Sequence, residues 1–162
     1  MGVGEDVVAC IRIIKDHPYH WYEDMTIVMV LAGKIKLRVW ARDNIMITGD
    51  MLVLNRGEIH KLTAITKDNL IAVISINREF CLGACEDFEE SVILCNSVQY
   101  GANNEEKYHK LKLKLSDLIY EYGKSIESEE AIHLTKEFVT YLCDHFDYLS
   151  VGEGDKQFSQ FI

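Results

Sequence analysis

Two segments bring together side chains that could do chemistry. The first runs His20-Trp21-Tyr22-Glu23-Asp24-Met25-Thr26 and is followed by Gly33; the second begins at Gly49-Asp50 and continues Asn55-Arg56-Gly57-Glu58-Ile59-His60. His20 and His60 are good nitrogen donors, Tyr22 is a poor ligand unless ionised, and Thr26 offers a neutral hydroxyl. Two imidazoles with no anionic partner rarely hold a catalytic ion tightly, so no cofactor is expected; any metal would fall to His20 and His60. Glu23 and Asp24 are adjacent and point to opposite sides of an extended chain, which argues against a general acid/base pair. Cys81-x-x-x-Cys85 could supply two thiolates to zinc, but no second pair follows at ligand spacing. The acidic runs Glu86-Asp87 and Glu89-Glu90 read as a solvated loop, and Arg12 as a charge on an edge strand.

The elements that must position these residues divide the chain in two. Before about residue 100 the apolar pattern has a period near two, with runs at 7–14, 26–32, 34–40, 44–48, 51–55, 60–66, 70–77 and 92–96. Turn residues separate them at Gly33, Arg42-Asp43-Asn44, Gly49-Asp50, Asn55-Arg56-Gly57 and Lys67-Asp68-Asn69. Many short strands at this spacing predict an antiparallel sandwich or barrel. After Gly101 the period becomes helical. Tyr108, Leu111, Leu115, Leu118, Ile119 and Tyr122 share one face of a helix over 104–123, with Asn104 as its cap and Gly123 as its stop. A second helix is predicted over 128–147, capped by Ser128. Its apolar residues form two faces, one of which carries Ile132, Val139 and Phe146. A surplus face of this kind suits a homodimer interface; deep burial within one chain is the competing reading.

Composition limits the partners. With 48% hydrophobic residues in 162 there is enough for one ordinary core, and 17 Lys+Arg against 26 Asp+Glu leave a net charge of -9. That balance opposes direct binding of a phosphate backbone or an anionic membrane surface. No apolar run reaches the roughly 18 residues a membrane span needs, and no secretory leader pattern is visible, so a cytoplasmic protein is expected. The five cysteines are an odd number without a tight framework and read as reduced thiols.

The paired segments resemble the two motifs of the cupin superfamily. Aligned on Gly33, His20 falls on the first motif histidine, Tyr22 on the second and Thr26 on the glutamate. Aligned on Gly49, Asn55 falls on the proline, Gly57 on the glycine, His60 on the third histidine and Ala64 on the asparagine. The spacing survives while half of the metal ligands do not. Pro18-Tyr19-His20-Trp21, the strand ending at Gly33, Gly49-Asp50 with Asn55 and His60, the strand ending Ile74-Ser75-Ile76-Asn77 and the two long helices together resemble the N-terminal half of AraC-type transcriptional regulators. This resemblance covers about residues 7 to 150. It implies a mainly β chain with α: a cupin-like (jelly-roll) β-barrel over 1–100 that binds an effector, and an antiparallel helical hairpin over 101–150 that dimerises. It also implies that 151–162 begins a linker to a missing helix-turn-helix domain, the only part that would touch DNA. No enzymatic activity follows from it. The effector, of which sugars are frequent examples in the family, would meet His20, Tyr22, Thr26 and His60, with Arg38 and Trp40 as further candidates. Strand parity from Thr26 puts Val28 and Val30 on the interior face with it. A metal-dependent cupin enzyme of the sugar isomerase or dioxygenase type is the alternative, and a dimerisation module with a filled barrel is a third.

Overall fold

In a computed structural model, residues 6–148 are described. Eight strands come first: β1 (Val7–Arg12), β2 (Asp16–His20), β3 (Met25–Ala32), β4 (Lys34–Val39), β5 (Arg42–Ile47), β6 (Met51–Leu54), β7 (His60–Ala64) and β8 (Leu70–Ile76). Helices α1 (Arg78–Ala84), α2 (Ser97–Tyr100), α3 (Glu105–Lys124) and α4 (Glu129–Phe146) follow, with two short 3-10 turns between them. The strands form two antiparallel four-stranded sheets, ordered β1-β8-β3-β6 and β2-β7-β4-β5. The architecture is mainly β with α, two antiparallel sheets enclosing an apolar core and followed by the long helices, as expected.

The pleat explains why β3 reads as an unbroken apolar run. Its even positions, Val28 and Val30, meet Ile35, Leu37, Met46, Leu52, Leu54, Leu62, Ile71 and Val73 between the sheets. Its odd positions, Ile27 and Met29, join a second buried cluster with Leu111, Leu115, Leu118, Phe138, Val139, Leu142 and Phe146 of the long helices. The strand is thus covered on both faces, and both sets of side chains must be apolar. The short loop between α3 and α4 turns the chain back on itself, and Lys107 near the start of α3 donates to the carbonyl of His145 near the end of α4 (3.1 Å). Ser128 caps α4 as expected, its Oγ accepting from the Ala131 N–H (3.0 Å). Asn104 instead turns its amide back to the Tyr100 carbonyl (2.9 Å), and α3 runs through Gly123 to Lys124.

Val139 and Phe146 are 0% exposed within the single chain, which corrects the assignment of their face to a partner. The second apolar face of α4 exists because the helix packs against α1 as well as α3. Ile132, the third residue of that set, is half-buried. Three elements also depart from the periodicity. Residues 16–20 form a strand, Asn77 caps the unexpected α1 by accepting from the Phe80 N–H (2.8 Å), and 92–96 is an irregular segment tied by isolated bridges Leu52↔Asn96 and Ile93↔Asp147. The expected linker at 151–162 lies outside the described residues.

Two glycines are fixed by geometry. Gly33 has φ +80, and a β-carbon there would sit 2.3 Å from the Asp68 carbonyl oxygen and 2.6 Å from Thr66 Oγ1. Gly49 has φ +92 in the β5–β6 turn, where its N–H donates to Val30 O (2.8 Å) and Asp50 Oδ2 accepts from the Ile47 N–H (2.9 Å).

Candidate functional site

Cross-strand register assembles the site. In the second sheet His20 of β2 lies opposite His60 of β7, His60 opposite Val39 of β4, and Val39 opposite Arg42 of β5. Directly opposed residues share a face, and the alternation that buries Leu37, Met46 and Leu62 turns this row toward the barrel interior. On the facing sheet Thr26 is paired with Ser75 on one side and Leu54 on the other. One end of the barrel is therefore a ring of imidazoles, hydroxyls and a guanidinium, while its middle is filled with aliphatic side chains.

The turn after β6 holds this end in place. The Gly57 N–H donates to the Tyr22 carbonyl (2.9 Å), joining the second motif to the first. Asn55 exchanges bonds with the backbone of Ile93, donating to its carbonyl (2.8 Å) and accepting from its N–H (2.9 Å), and also donates to Glu58 Oε1 (2.8 Å). Thr26 gives its single proton to the Asp24 carbonyl (3.1 Å), so the Ser75 hydroxyl donates to Thr26 Oγ1 (2.8 Å).

The rings pack as one cluster. His20 and His60 centroids are 4.1 Å apart, and the Tyr22 ring stands 4.9 Å from each of them. His17, which sequence reasoning passed over, lies 4.2 Å from His20. The Nε2 atoms of His20 and His60 approach to 3.1 Å, while their Nδ1 atoms face the carbonyls of Pro18 (3.2 Å) and Glu58 (3.1 Å). These three contacts need three ring protons, and two neutral imidazoles carry two. A third proton is held weakly: burial pushes His60 down to about 4, opposed in part by the Glu58 carbonyl and reinforced by His20 and His17. His20 is lowered too, first by burial and then by His17 and Arg12, against the Pro18 carbonyl. Burial raises the Tyr22 phenol above its ordinary value, so it stays protonated.

A resident catalytic metal does not fit these donors. The cluster offers imidazoles that face one another or backbone carbonyls, a protonated phenol and a hydroxyl already bonded to Ser75, with no carboxylate. Among the described residues no group of three or more His, Cys, Asp or Glu side chains is arranged to hold an ion. That includes Cys81 and Cys85, both free thiols, of which Cys81 is pushed up to about 12 by burial.

Of the expected residues, His20, Tyr22 and His60 pack together, while Thr26 lies on the facing sheet and bonds to Ser75. Trp40 sits at the tip of the β4–β5 hairpin and lines an open cleft that also includes Val39, the residue opposite His60. Arg38 is left outside: the pleat that turns Leu37 and Val39 inward turns it outward, where it pairs with Asp43 (3.6 Å). Arg42, Asn44, Asn96 and Gln99, which line the cleft, were not anticipated. A tight turn at Trp40-Ala41, rather than at 42–44, would have placed Arg42 opposite Val39 and hence inward.

No family model and no curated protein matches the chain. It is similar to solved cupin-2 and related structures. A cupin-2 domain protein from Shewanella frigidimarina is 19% identical over 44% of this chain and 72% of that one, with a TM-score of 0.41. KdgF from a Halomonas species is 22% identical over 46% and 72%, with a TM-score of 0.41. ToxT from Vibrio cholerae, solved with an unsaturated fatty acid bound, is 12% identical over 48% of this chain and 32% of that one, with a TM-score of 0.41. Among the described residues no helix is long and apolar enough to cross a membrane.

Proposed function

We propose that this chain is the effector-sensing domain of an AraC-type transcriptional regulator and binds a small molecule at the polar end of its barrel. The observation that carries the reading is the connection between that end and the last helix. The segment 92–96 walls the cleft beside Trp40 and Arg42, and the same segment is bonded to the end of α4. Leu94 N–H donates to the Phe146 carbonyl (2.6 Å), Tyr148 N–H donates to the Val92 carbonyl (2.8 Å), and Ile93 bridges Asp147. A molecule that displaces this wall moves the end of α4 with it. Its leverage equals its difference in affinity for the two arrangements.

The site suits binding better than catalysis. Burial holds His20 and His60 in the neutral form, the hydroxyls are committed to each other, and the site lacks the anionic ligand on which a metal-dependent isomerase or dioxygenase would depend. DNA contact, on this reading, belongs to a helix-turn-helix domain outside the described residues, and homodimer contact to surfaces other than Val139 and Phe146.

Two measurements test the proposal. A thermal-shift screen of sugars, carboxylates and related metabolites should yield compounds that raise the melting temperature, because a ligand specific to the native state stabilises it by mass action. Metal analysis of protein purified without chelator should find no stoichiometric ion. Near-stoichiometric iron, manganese, nickel or zinc that disappears in His60→Ala would overturn the sensor reading in favour of the enzyme.

A further inference from the structure

A second pocket shares Asn55 with the cleft and gathers charges of both signs. Its walls come from the loop before β3, the turn after β6, the start of α1 and the segment 88–92. The bond from the Gly57 N–H to the Tyr22 carbonyl (2.9 Å) ties the first two walls together, so Glu23 and Asp24 of the loop line the same space as Arg56 of the turn.

Two of the charges cancel, because Arg78 is paired with Glu89. The other three do not. Among the described residues Arg56, Glu23 and Asp24 take part in no ion pair, with one another or with any other side chain. Opposite charges that line one pocket and stay apart are satisfied by a single occupant only if it carries both signs itself. The neutral polar groups are already spent. Asn55 donates to the Ile93 carbonyl (2.8 Å) and accepts from its N–H (2.9 Å), and Ser91 Oγ donates to the Asp87 carbonyl (3.0 Å), which leaves little with which to read the hydroxyls of a sugar. Apolar side chains supply much of the remaining lining: Met25 is buried, and Phe88 and Val92 are half-buried.

We infer that this pocket binds a free α-amino acid with an apolar side chain, its carboxylate on the Arg56 guanidinium, its ammonium on Glu23 and Asp24, and its side chain against Met25, Phe88 and Val92. A guanidinium forks onto the two oxygens of a carboxylate, and an ammonium has three protons to divide between two acids. The apolar lining adds affinity without competing for either charge. The inference goes beyond the receptor reading and does not depend on it, since none of the three charged residues lines the cleft beside Trp40. An amino acid held here is a second ligand beside the effector.

Isothermal titration calorimetry of the 162-residue chain tests it by comparing L-leucine with N-acetyl-L-leucine, which lacks the ammonium, and L-leucinamide, which lacks the carboxylate. L-Leucine should bind at least about tenfold more tightly than either. In Arg56→Gln its lead over leucinamide should vanish, and in the double variant Glu23→Gln, Asp24→Asn its lead over N-acetyl-leucine should vanish. Arg56 and Glu23 are exposed, so their substitution leaves the core untouched. Equal binding of L-leucine and either blocked form by the parent chain would overturn the inference without relying on any variant, as would a lead over leucinamide that survives Arg56→Gln in folded protein. Failure of L-leucine to bind at millimolar concentration also overturns it. None of these results decides the receptor reading, which stands or falls with the metabolite screen.

Discussion

His60 is buried at 0% exposure with its imidazole held neutral, and this makes acid sensitivity a direct readout of the barrel end. Its value falls from 6.5 to about 4 on folding, mainly through burial. The sign follows from proton counting: between those two values the unfolded chain binds the proton that the folded chain refuses. Stability is therefore fully present above 6.5 and is lost as pH falls toward 4. Undiscounted, the loss between about pH 7.5 and about pH 5 is roughly 2 kcal/mol at 1.36 kcal/mol per tenfold. Water reaching the half-buried His20 side reduces that to about 1 kcal/mol. Urea titrations of the parent chain and His60→Asn at both pH values isolate the contribution, because the carboxylates are common to both. The Asn amide can still reach the Glu58 carbonyl in place of Nδ1. The parent should lose about 1 kcal/mol more than the variant, a midpoint difference of roughly half a molar in urea. Parallel losses in the two proteins would refute the claim that burial holds this ring neutral.

Other substitutions probe the scaffold. Val139→Asp should destabilise the chain by at least about 3 kcal/mol, since it places an unpaired charge in the core; a stable variant that merely changes from dimer to monomer would return this residue to an interface. Gly33→Ala should cost on the order of 2–4 kcal/mol, read from chemical denaturation, because its β-carbon meets backbone as well as strained φ. Trp40 has φ +54 in the β4–β5 turn, so Trp40→Gly should be more stable than Trp40→Ala by about 0.5–1 kcal/mol, the left-handed penalty of about 1–2 kcal/mol less the extra entropy lost by glycine. The opposite order in thermal melts would mean that the turn relaxes and the strain at Trp40 is not held.

How much of this was legible beforehand depended on whether one periodicity governed the residues. Strand parity carried Thr26, Val28 and Val30 to the interior, and helical spacing located α3 and α4 within about a residue at each end, because each pattern was long and uninterrupted. Motif spacing brought His20, Tyr22 and His60 to one place. The failures came where a tertiary partner decided the outcome. Val139 and Phe146 carried the right pattern for a buried face, but pattern alone does not say whether the cover is a second chain or the rest of the same one. Arg38 and Arg42 exchanged roles because the hairpin turn falls at Trp40-Ala41, with a tryptophan where a glycine would have announced it. Segment 92–96 had strand-like residues, yet its backbone is shared among Asn55, Val53 and the end of α4, and no ladder forms.

Mapping a bound probe on the isotope-labelled chain by NMR tests the central claim most directly. With a compound that raises the melting temperature in the screen, amide shifts should concentrate on residues 39–44, 52–55 and 93–100, with a second set at 146–148 where the cleft wall joins α4. Shifts confined to residues outside the cleft, or a cleft response that leaves 146–148 unmoved, would contradict a receptor whose occupancy is passed to its last helix.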